Sequence, residues 1–273
     1  PFAWFYLLPT SLVEFSNSIF FSTFFTSNFF FNIEGHSYGN SLSITKPFLH
    51  TWSLSVEEQF YIIFPLFFIF CFKYFKDKII TILLFISLTS LFLAHYGSFN
   101  FSITNFYLLP TRLGEIFCGS ILAVIGDNKR IKPNFSNFLA LLGLFVILFS
   151  FYFFTDETLH PSLKTLLPIL GTMLIIRFSK KNFTYKILSQ KYLVYIGLIS
   201  YSLYLWHYPI FSFSELLGFQ NSNINKIFII FLSFCLSISS FFLIEKKFRN
   251  KSLISNKVFI TYLVISISVI SIF

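Results

Sequence analysis

Long apolar runs, separated by short polar loops, repeat along almost the whole chain. A helix needs about 20 apolar residues to cross a bilayer, because each residue adds about 1.5 Å across roughly 30 Å of hydrocarbon. Inside lipid the backbone must satisfy its own hydrogen bonds, so segments of this length are predicted to be helical. The pattern predicts nine spans, near residues 8–31, 52–72, 79–94, 104–126, 135–154, 161–178, 192–214, 226–244 and 258–273.

Basic residues follow the even-numbered spans and therefore predict an orientation, because they collect on the cytoplasmic side of short loops. Sixteen of the 20 Lys and Arg residues lie there: Lys73, Lys76, Lys78, Lys129, Arg130, Lys132, Arg177, Lys180, Lys181, Lys186, Lys191, Lys246, Lys247, Arg249, Lys251 and Lys257. The loops near 32–50, 95–103, 155–160 and 215–225 are then expected outside. Topology, helped by anionic lipid headgroups, explains the net charge of +9, so no nucleic-acid partner is required.

Composition agrees with this membrane pattern. The chain has 273 residues, of which 55% are hydrophobic and 11% are charged, whereas soluble domains carry roughly a quarter charged residues. Cys71, Cys118 and Cys235 lie within apolar segments without metal-ligand spacing, so no metal site is predicted. We therefore predict an all-α fold, a polytopic transmembrane helix bundle.

A polar cluster at residues 50–61 opens the second predicted span. In a helix Ser55 shares a face with Glu58 and Gln59, because residues three and four apart are neighbours. Ser53 or Ser55 followed by a glutamate could also form a helix cap. Capping leaves the second carboxylate and the remaining polar residues unexplained. The cluster is therefore predicted to be a functional site containing His50, Trp52, Ser53, Ser55, Glu57, Glu58 and Gln59.

Three further polar groups lie in or beside predicted spans, where ionisable residues are costly and often functional. Arg112 and Glu115 can pair at i and i+3, either as a structural ion pair or as groups that hold and orient an anion or a carbonyl. Glu245 with the basic residues after it is either a membrane-boundary cluster or a site for a phosphorylated cofactor. The third group is either an interfacial aromatic belt with a structural histidine or a stripe facing the bundle, and it contains Tyr201, Tyr204, Trp206 and His207.

Four sequence strings resemble consecutive motifs of membrane acyltransferase family 3. They are HTWSLSVEEQFY at 50–61, TRLGEIFCGSILA at 111–123, SYSLYLWHYPIF at 200–211 and IEKKFR at 244–249, in the order of the family. The resemblance implies a bundle of about ten transmembrane helices in a bacterial cytoplasmic membrane. It also implies transfer of an acetyl group from acetyl-CoA, as co-substrate, to a hydroxyl of an envelope polysaccharide or lipid-linked sugar.

The resemblance also implies a domain organisation. Residues 1–250 are expected to form the acyltransferase domain without its N-terminal helices. Residues 251–273 are expected to form a further transmembrane helix, similar to the linker that precedes an extracytoplasmic domain in some family members. The chain begins at Pro1 and its single methionine is Met173, so we expect it to be part of a longer protein. The family's leading catalytic histidine and an arginine-rich stretch would then lie upstream, and this part alone is expected to be inactive.

The chemistry assigned to these residues follows from the low reactivity of an alcohol. A base whose pKa is near neutral pH must take the proton of the alcohol, and histidine is such a base. His50 and His207 are the histidines available for this task or for supporting the upstream histidine. Glu57 or Glu58 would orient a histidine, with Glu58 preferred because it shares a face with Ser55. A membrane transporter or flippase of a lipid-linked sugar is the alternative function.

Overall fold

The computed structural model describes residues 2–36, 43–126, 132–155, 157–250 and 255–272. This part of the chain forms helices and no strand, so the predicted all-α class is confirmed. The longer elements are α1 (Phe2–Tyr6), α2 (Pro9–Thr23), α3 (Ser27–Gly35), α4 (Thr51–Tyr74), α5 (Ile79–Asn100), α6 (Ser102–Tyr107), α7 (Leu109–Ile125), α8 (Pro133–Phe153), α9 (Leu166–Phe178), α10 (Phe183–Leu188), α11 (Lys191–Leu216), α12 (Asn223–Ser240), a π-helix (Phe241–Glu245), α13 (Lys246–Arg249) and α14 (Asn256–Ile272).

Five helical segments in the described ranges are long and apolar enough to cross a membrane: Thr51–Tyr74, Lys76–Asn100, Ser102–Ile125, Pro133–Phe153 and Asn223–Arg249. They correspond to the predicted spans at 52–72, 79–94, 104–126, 135–154 and 226–244. Helix α11 coincides with the predicted span at 192–214 but carries the polar stripe. The predicted cytoplasmic residues Lys129, Arg130 and Lys251 lie outside the described residues.

The predicted first span at 8–31 is two helices. Helix α2 ends at Thr23, and Phe25 adopts a positive φ of 55° before α3 begins at Ser27. A left-handed residue cannot continue an α-helix, so the apolar run is interrupted although its composition is uniform. The predicted span at 161–178 is also shorter than expected. The side chain of Ser162 accepts a hydrogen bond from Lys164 N–H, and the α-helix starts only at Leu166.

The chain divides into two compact units. The first comprises Pro1–Glu58 with Tyr195–Phe273, and the second comprises Gln59–Val194. In the first, α4 starts against α3 because Ser55 Oγ accepts a hydrogen bond from Ser27 N–H at 3.2 Å and lies 2.7 Å from Ser27 Oγ. Both serines are almost completely buried, so these contacts fix the entry of α4.

In the second unit, α5 packs closely on α7 at a small residue. Gly114 N–H donates to Ser90 Oγ at 2.8 Å, and Ser87 Oγ donates to Gly114 O at 3.0 Å. A Cβ at Gly114 would lie 2.9 Å from the Ser87 carbonyl oxygen, so only glycine permits this approach. Phe60 and Phe117 belong to the apolar core beside this contact, with ring centroids 5.6 Å apart.

Candidate active site

The polar stripe of α11 meets the beginning of α4 inside the first unit. The hydroxyl of Tyr204 lies 2.6 Å from Ser53 Oγ and donates a short hydrogen bond to the backbone carbonyl of His50. Because one tyrosine hydroxyl contacts two groups of the α4 entry, it fixes the two segments side by side. Two of the predicted clusters, more than 150 residues apart in sequence, therefore form one site.

His50 lies buried among aromatic rings. Its ring stacks on Tyr208 with centroids 5.2 Å apart and an angle of 25°, and it meets Tyr204 and His207 edgewise at 5.2 and 5.7 Å. Burial, and secondarily the charge of His207, lower the pKa of His50 to about 4, although the Pro47 backbone opposes the shift. The ring is therefore neutral at physiological pH.

His207 presents a different chemistry. Its Nδ1 lies 3.0 Å from the carbonyl oxygen of Leu203, one helical turn earlier. A carbonyl only accepts hydrogen bonds, so Nδ1 carries the proton in this contact and the neutral ring keeps its lone pair on Nε2. The side chain is half-buried. The backbone therefore orients the His207 ring, and Nε2 is its hydrogen-bond-accepting nitrogen.

Carboxylates of α4 and of the π-helix lie near the polar stripe of α11. Glu58 is half-buried, whereas the adjacent Glu57 is exposed. The Tyr201 hydroxyl interacts electrostatically with Glu58, then with Glu245 and Glu57. Glu245 accepts a hydrogen bond of 2.7 Å from the buried Ser202. These contacts bring the predicted Glu245 group to the same stripe, an association for which the sequence alone had no signal.

The π-helix explains how Glu245 reaches that stripe. It ends at Glu245, whose carboxylate bonds Ser202 through one oxygen and Arg249 through the other at 3.0 Å. A π-turn inserts one residue into a helix and rotates the side chains that follow, which is why such turns are frequent at functional sites. The first residue of the π-helix and three residues after its end line an open groove of about 350 Å³: Phe241, Lys246, Arg249 and Asn250. Its lysine and arginine side chains can pair with anionic groups such as phosphates.

The other residues predicted for the α4 and α11 clusters differ in how deeply they are buried. Ser55 is occupied by its contacts with Ser27. Trp52 is half-buried, and Trp206 exposes 38% of its surface. Gln59, half-buried on α4, is the first residue of the second unit.

Arg112 and Glu115 pair within the second unit, as predicted from their spacing. Arg112 Nη1 lies 3.3 Å from Glu115 Oε2 and 2.7 Å from Nε2 of His160. Its Nε and Nη2 donate to the Phe106 carbonyl, and the guanidinium lies over the Phe106 ring at 5.1 Å. Arg112 is buried. The carboxylate oxygen Oε1 of Glu115 is also buried and has no hydrogen-bond partner among the described residues, so it can accept one from a ligand.

His160 is the site residue that sequence reasoning missed. It lies in a loop, and neither the periodicity nor the quoted motifs single it out. Part of its ring is exposed, but its Nε2 faces Arg112. Partial burial, followed by the charge of Arg112, lowers its pKa to about 4. Only a neutral histidine has a ring nitrogen that can accept a hydrogen bond from an arginine.

The described residues contain no group of three or more His, Cys, Asp or Glu arranged to hold a metal ion.

Comparison with known proteins identifies the family of this chain. A model described as an acyltransferase domain matches residues 1–246. The chain is 32% identical over 220 residues to the O-acetyltransferase OatA of Staphylococcus aureus, covering 75% of this chain and 36% of that protein. It is 28% identical over 251 residues to the peptidoglycan O-acetyltransferase OatA of Listeria monocytogenes, covering 86% and 40%. It is 33% identical over 170 residues to an uncharacterized protein of Haemophilus influenzae, covering 58% and 69%.

The chain thus spans less than half the length of the two O-acetyltransferases. No solved structure matches it significantly. The apolar helices and these relatives identify a multi-pass membrane protein. Because the family model covers most of the sequence, the chain belongs to the acyltransferase 3 family.

Proposed function

We propose that this chain is part of a membrane O-acetyltransferase that transfers the acetyl group of acetyl-CoA to a hydroxyl of a cell-envelope carbohydrate. The observation that carries the proposal is the joined site of His50, Tyr204 and His207, which lie together in a member of the acyltransferase family. The relatives named as O-acetyltransferases support the acetyl group, and the one named for peptidoglycan supports the acceptor class. The proposed location is the cytoplasmic membrane of a bacterium.

In the proposed reaction, the acceptor oxygen attacks the carbonyl carbon of the thioester. The new C–O bond forms, the C–S bond breaks, and the hydroxyl proton is taken by a base and passed to the leaving thiolate. His207 is the histidine that we assign to this proton, because its Nδ1–H is held by Leu203 and its Nε2 is the basic nitrogen. The buried, neutral His50 lines the site and positions the Tyr204 hydroxyl through its backbone carbonyl.

Glu58 is assigned to stabilising the cationic form of the catalytic histidine, as a carboxylate does in a catalytic triad. It is preferred over Glu57 because Glu58 is half-buried and Glu57 is exposed. We assign the donor's phosphates to the groove that contains Lys246 and Arg249. Arg112 and Glu115 stay predicted binding groups for an anion or a carbonyl.

Labelled transfer in membranes tests the proposal. The full-length gene product would be supplied with radiolabelled acetyl-CoA, and label entering envelope carbohydrate would be measured for wild type, His207→Gln and Glu58→Gln. General acid–base catalysis contributes about 10²- to 10⁴-fold, so we expect a loss of at least 10²-fold for His207→Gln. Glu215→Gln, at an exposed position of α11, is the matched carboxylate control and should retain activity.

The outcomes separate the alternatives. Transfer that survives Glu58→Gln would move the carboxylate role to Glu57. Folded wild type that transfers no acetyl group but translocates a labelled lipid-linked sugar would support the transporter alternative. The predicted arrangement, with residues 1–250 as the acyltransferase domain and 251–273 as a linker helix, is tested by a reporter fused after Phe273. Activity of a cytoplasm-only reporter there would contradict it.

A further inference from the structure

An open groove of about 640 Å³ lies on the surface of the second unit, and its lining contains none of the acid–base residues described above. Three phenylalanines of α4 form one wall, and they recur at every fourth residue on a single helix face. Helix α7 and the beginning of α5 form the rest of the groove. The lining consists of Phe64, Phe68, Phe72, Lys76, Asp77, Ile79, Ile80, Gly119, Ser120, Ala123 and Val124.

Small residues on α7 create this space. A Cβ added at Gly119 would meet no atom within 4 Å, which shows that the wall is open at this point. Ala123, one turn further along the same helix, adds only a methyl group. From Phe64 to Phe72 the groove extends about 12 Å along α4, at about 1.5 Å per residue. Its length and largely apolar lining suit an extended hydrocarbon chain.

The end of the groove carries a cation. Lys76 Nζ lies over the ring of Phe72 at 5.2 Å from its centroid, so the last phenylalanine of the wall holds the ammonium at the mouth. Asp77 also lines the mouth, but Lys73 and Lys78 flank it, which leaves a positive balance. The distribution of basic residues predicts that this boundary faces the cytoplasm. An apolar channel that ends in positive charge complements a molecule with a hydrocarbon tail and an anionic head.

We propose that this groove binds one acyl chain of an anionic phospholipid of the cytoplasmic leaflet, with the lipid phosphate at Lys76. Helices α4, α5 and α7 belong to segments apolar enough to span the bilayer, and an acyl chain is the occupant that the surrounding hydrocarbon supplies. A phenylalanine-lined groove offers water no hydrogen bonds, whereas surrounding lipid fills it without loss of packing. Basic residues at the cytoplasmic boundary attract anionic headgroups. The proposal is independent of the reaction assigned above.

Native mass spectrometry of the purified full-length protein tests both the apolar groove and the cation at its mouth. The probes are phosphatidylglycerol and phosphatidylcholine with identical acyl chains, added separately to the protein in non-ionic detergent. Gly119→Leu fills the groove, and Gly197→Leu is its control because a Cβ at Gly197 also meets nothing within 4 Å. Lys76→Gln removes the cation at the mouth, and Lys186→Gln removes an exposed cation elsewhere.

We expect wild type to retain phosphatidylglycerol about ten-fold better than phosphatidylcholine. Gly119→Leu should lower retention of both lipids about ten-fold, whereas Lys76→Gln should remove the preference and leave phosphatidylcholine retention unchanged. Both controls should behave as wild type. If Gly119→Leu fails to fold, Ala123→Leu, on the same wall, makes the same test.

Equal retention by Gly119→Leu and Gly197→Leu, or an unchanged lipid preference in Lys76→Gln, would overturn the proposal. A different occupant would do so as well. Protein extracted from membranes and carrying a mass of a polyprenyl-linked sugar or an acyl-CoA, lost in Gly119→Leu, would assign the groove to that molecule instead.

Discussion

Helices α8 and α9 cross at a pair of glycines, and this contact allows a prediction with an internal control. A Cβ added at Gly143 would lie 2.6 Å from the carbonyl oxygen of Gly171 and 2.9 Å from the Cβ of Leu174. From the other side, a Cβ at Gly171 would lie 2.9 Å from the Gly143 carbonyl oxygen. Such close approach by small residues is how membrane helices gain packing without a hydrophobic driving force.

The cost of Gly143→Ala follows from that geometry. The two backbones would have to separate by about 0.8 Å to restore an ordinary contact, and overpacking of this kind costs about 1 to 3 kcal/mol. Replacing glycine by alanine in a helix also gains up to about 1 kcal/mol through backbone entropy. Gly197→Ala has the same entropic gain and no neighbour within 4 Å. The difference between the two variants therefore isolates packing, and we expect it to be about 1 to 3 kcal/mol.

Thermal unfolding of the purified protein in one detergent measures this difference. A penalty of about 2 kcal/mol corresponds to a melting temperature about 4 to 8 °C lower for Gly143→Ala than for Gly197→Ala. Gly171→Ala should show a similar decrease. Equal melting temperatures for all three variants would refute the close crossing of α8 and α9.

Two predictions concern the candidate site. Tyr204→Phe removes the hydroxyl that joins Ser53 to the His50 carbonyl, so acetyl transfer should fall about 30-fold through kcat, because two hydrogen bonds of about 1 kcal/mol each are lost. The exposed Tyr192→Phe should be unaffected in the same transfer assay. The pKa of His50 is about 4 in the folded protein against 6.5 ordinarily, so its contribution to stability is lost as pH falls from 6.5 toward 4, by up to about 3 kcal/mol. His50→Phe should flatten that part of the pH dependence of thermal unfolding, and an unchanged slope would contradict the assignment.

Hydropathy predicts most of this fold because a bilayer constrains the segment length and the secondary structure together. Five of the nine predicted spans coincide with helices of membrane-spanning length and composition. The prediction fails at residues 8–31, where the break at Phe25 depends on one backbone dihedral angle rather than on apolar content. It also fails before Leu166, where a serine hydrogen bond delays the start of the helix.

The candidate site illustrates the limit of local patterns. Spacing along a helix correctly indicates that Arg112 can pair with Glu115, since both residues lie on one helix face. No local pattern brings Tyr204 to Ser53, because that contact joins residues 151 positions apart. Only the resemblance to the acyltransferase family indicated that the strings at 50–61 and 200–211 act together. The hydrogen bond between Ser202 and Glu245 had no signal at all, since it depends on a π-turn.

The contact between His160 and Arg112 supports a last prediction. His160→Ala removes the acceptor of Arg112 Nη1 and should destabilise the protein by about 1 to 2 kcal/mol, because a buried charged donor then lacks that partner. His160→Gln is the matched variant, since its side-chain oxygen can accept the same hydrogen bond. Thermal unfolding at neutral pH should rank wild type and His160→Gln together above His160→Ala. His160→Lys places a second positive charge beside Arg112. It should be the least stable variant, because the two cations repel each other. Equal stability of the alanine and lysine variants would show that the His160 ring does not contact the guanidinium.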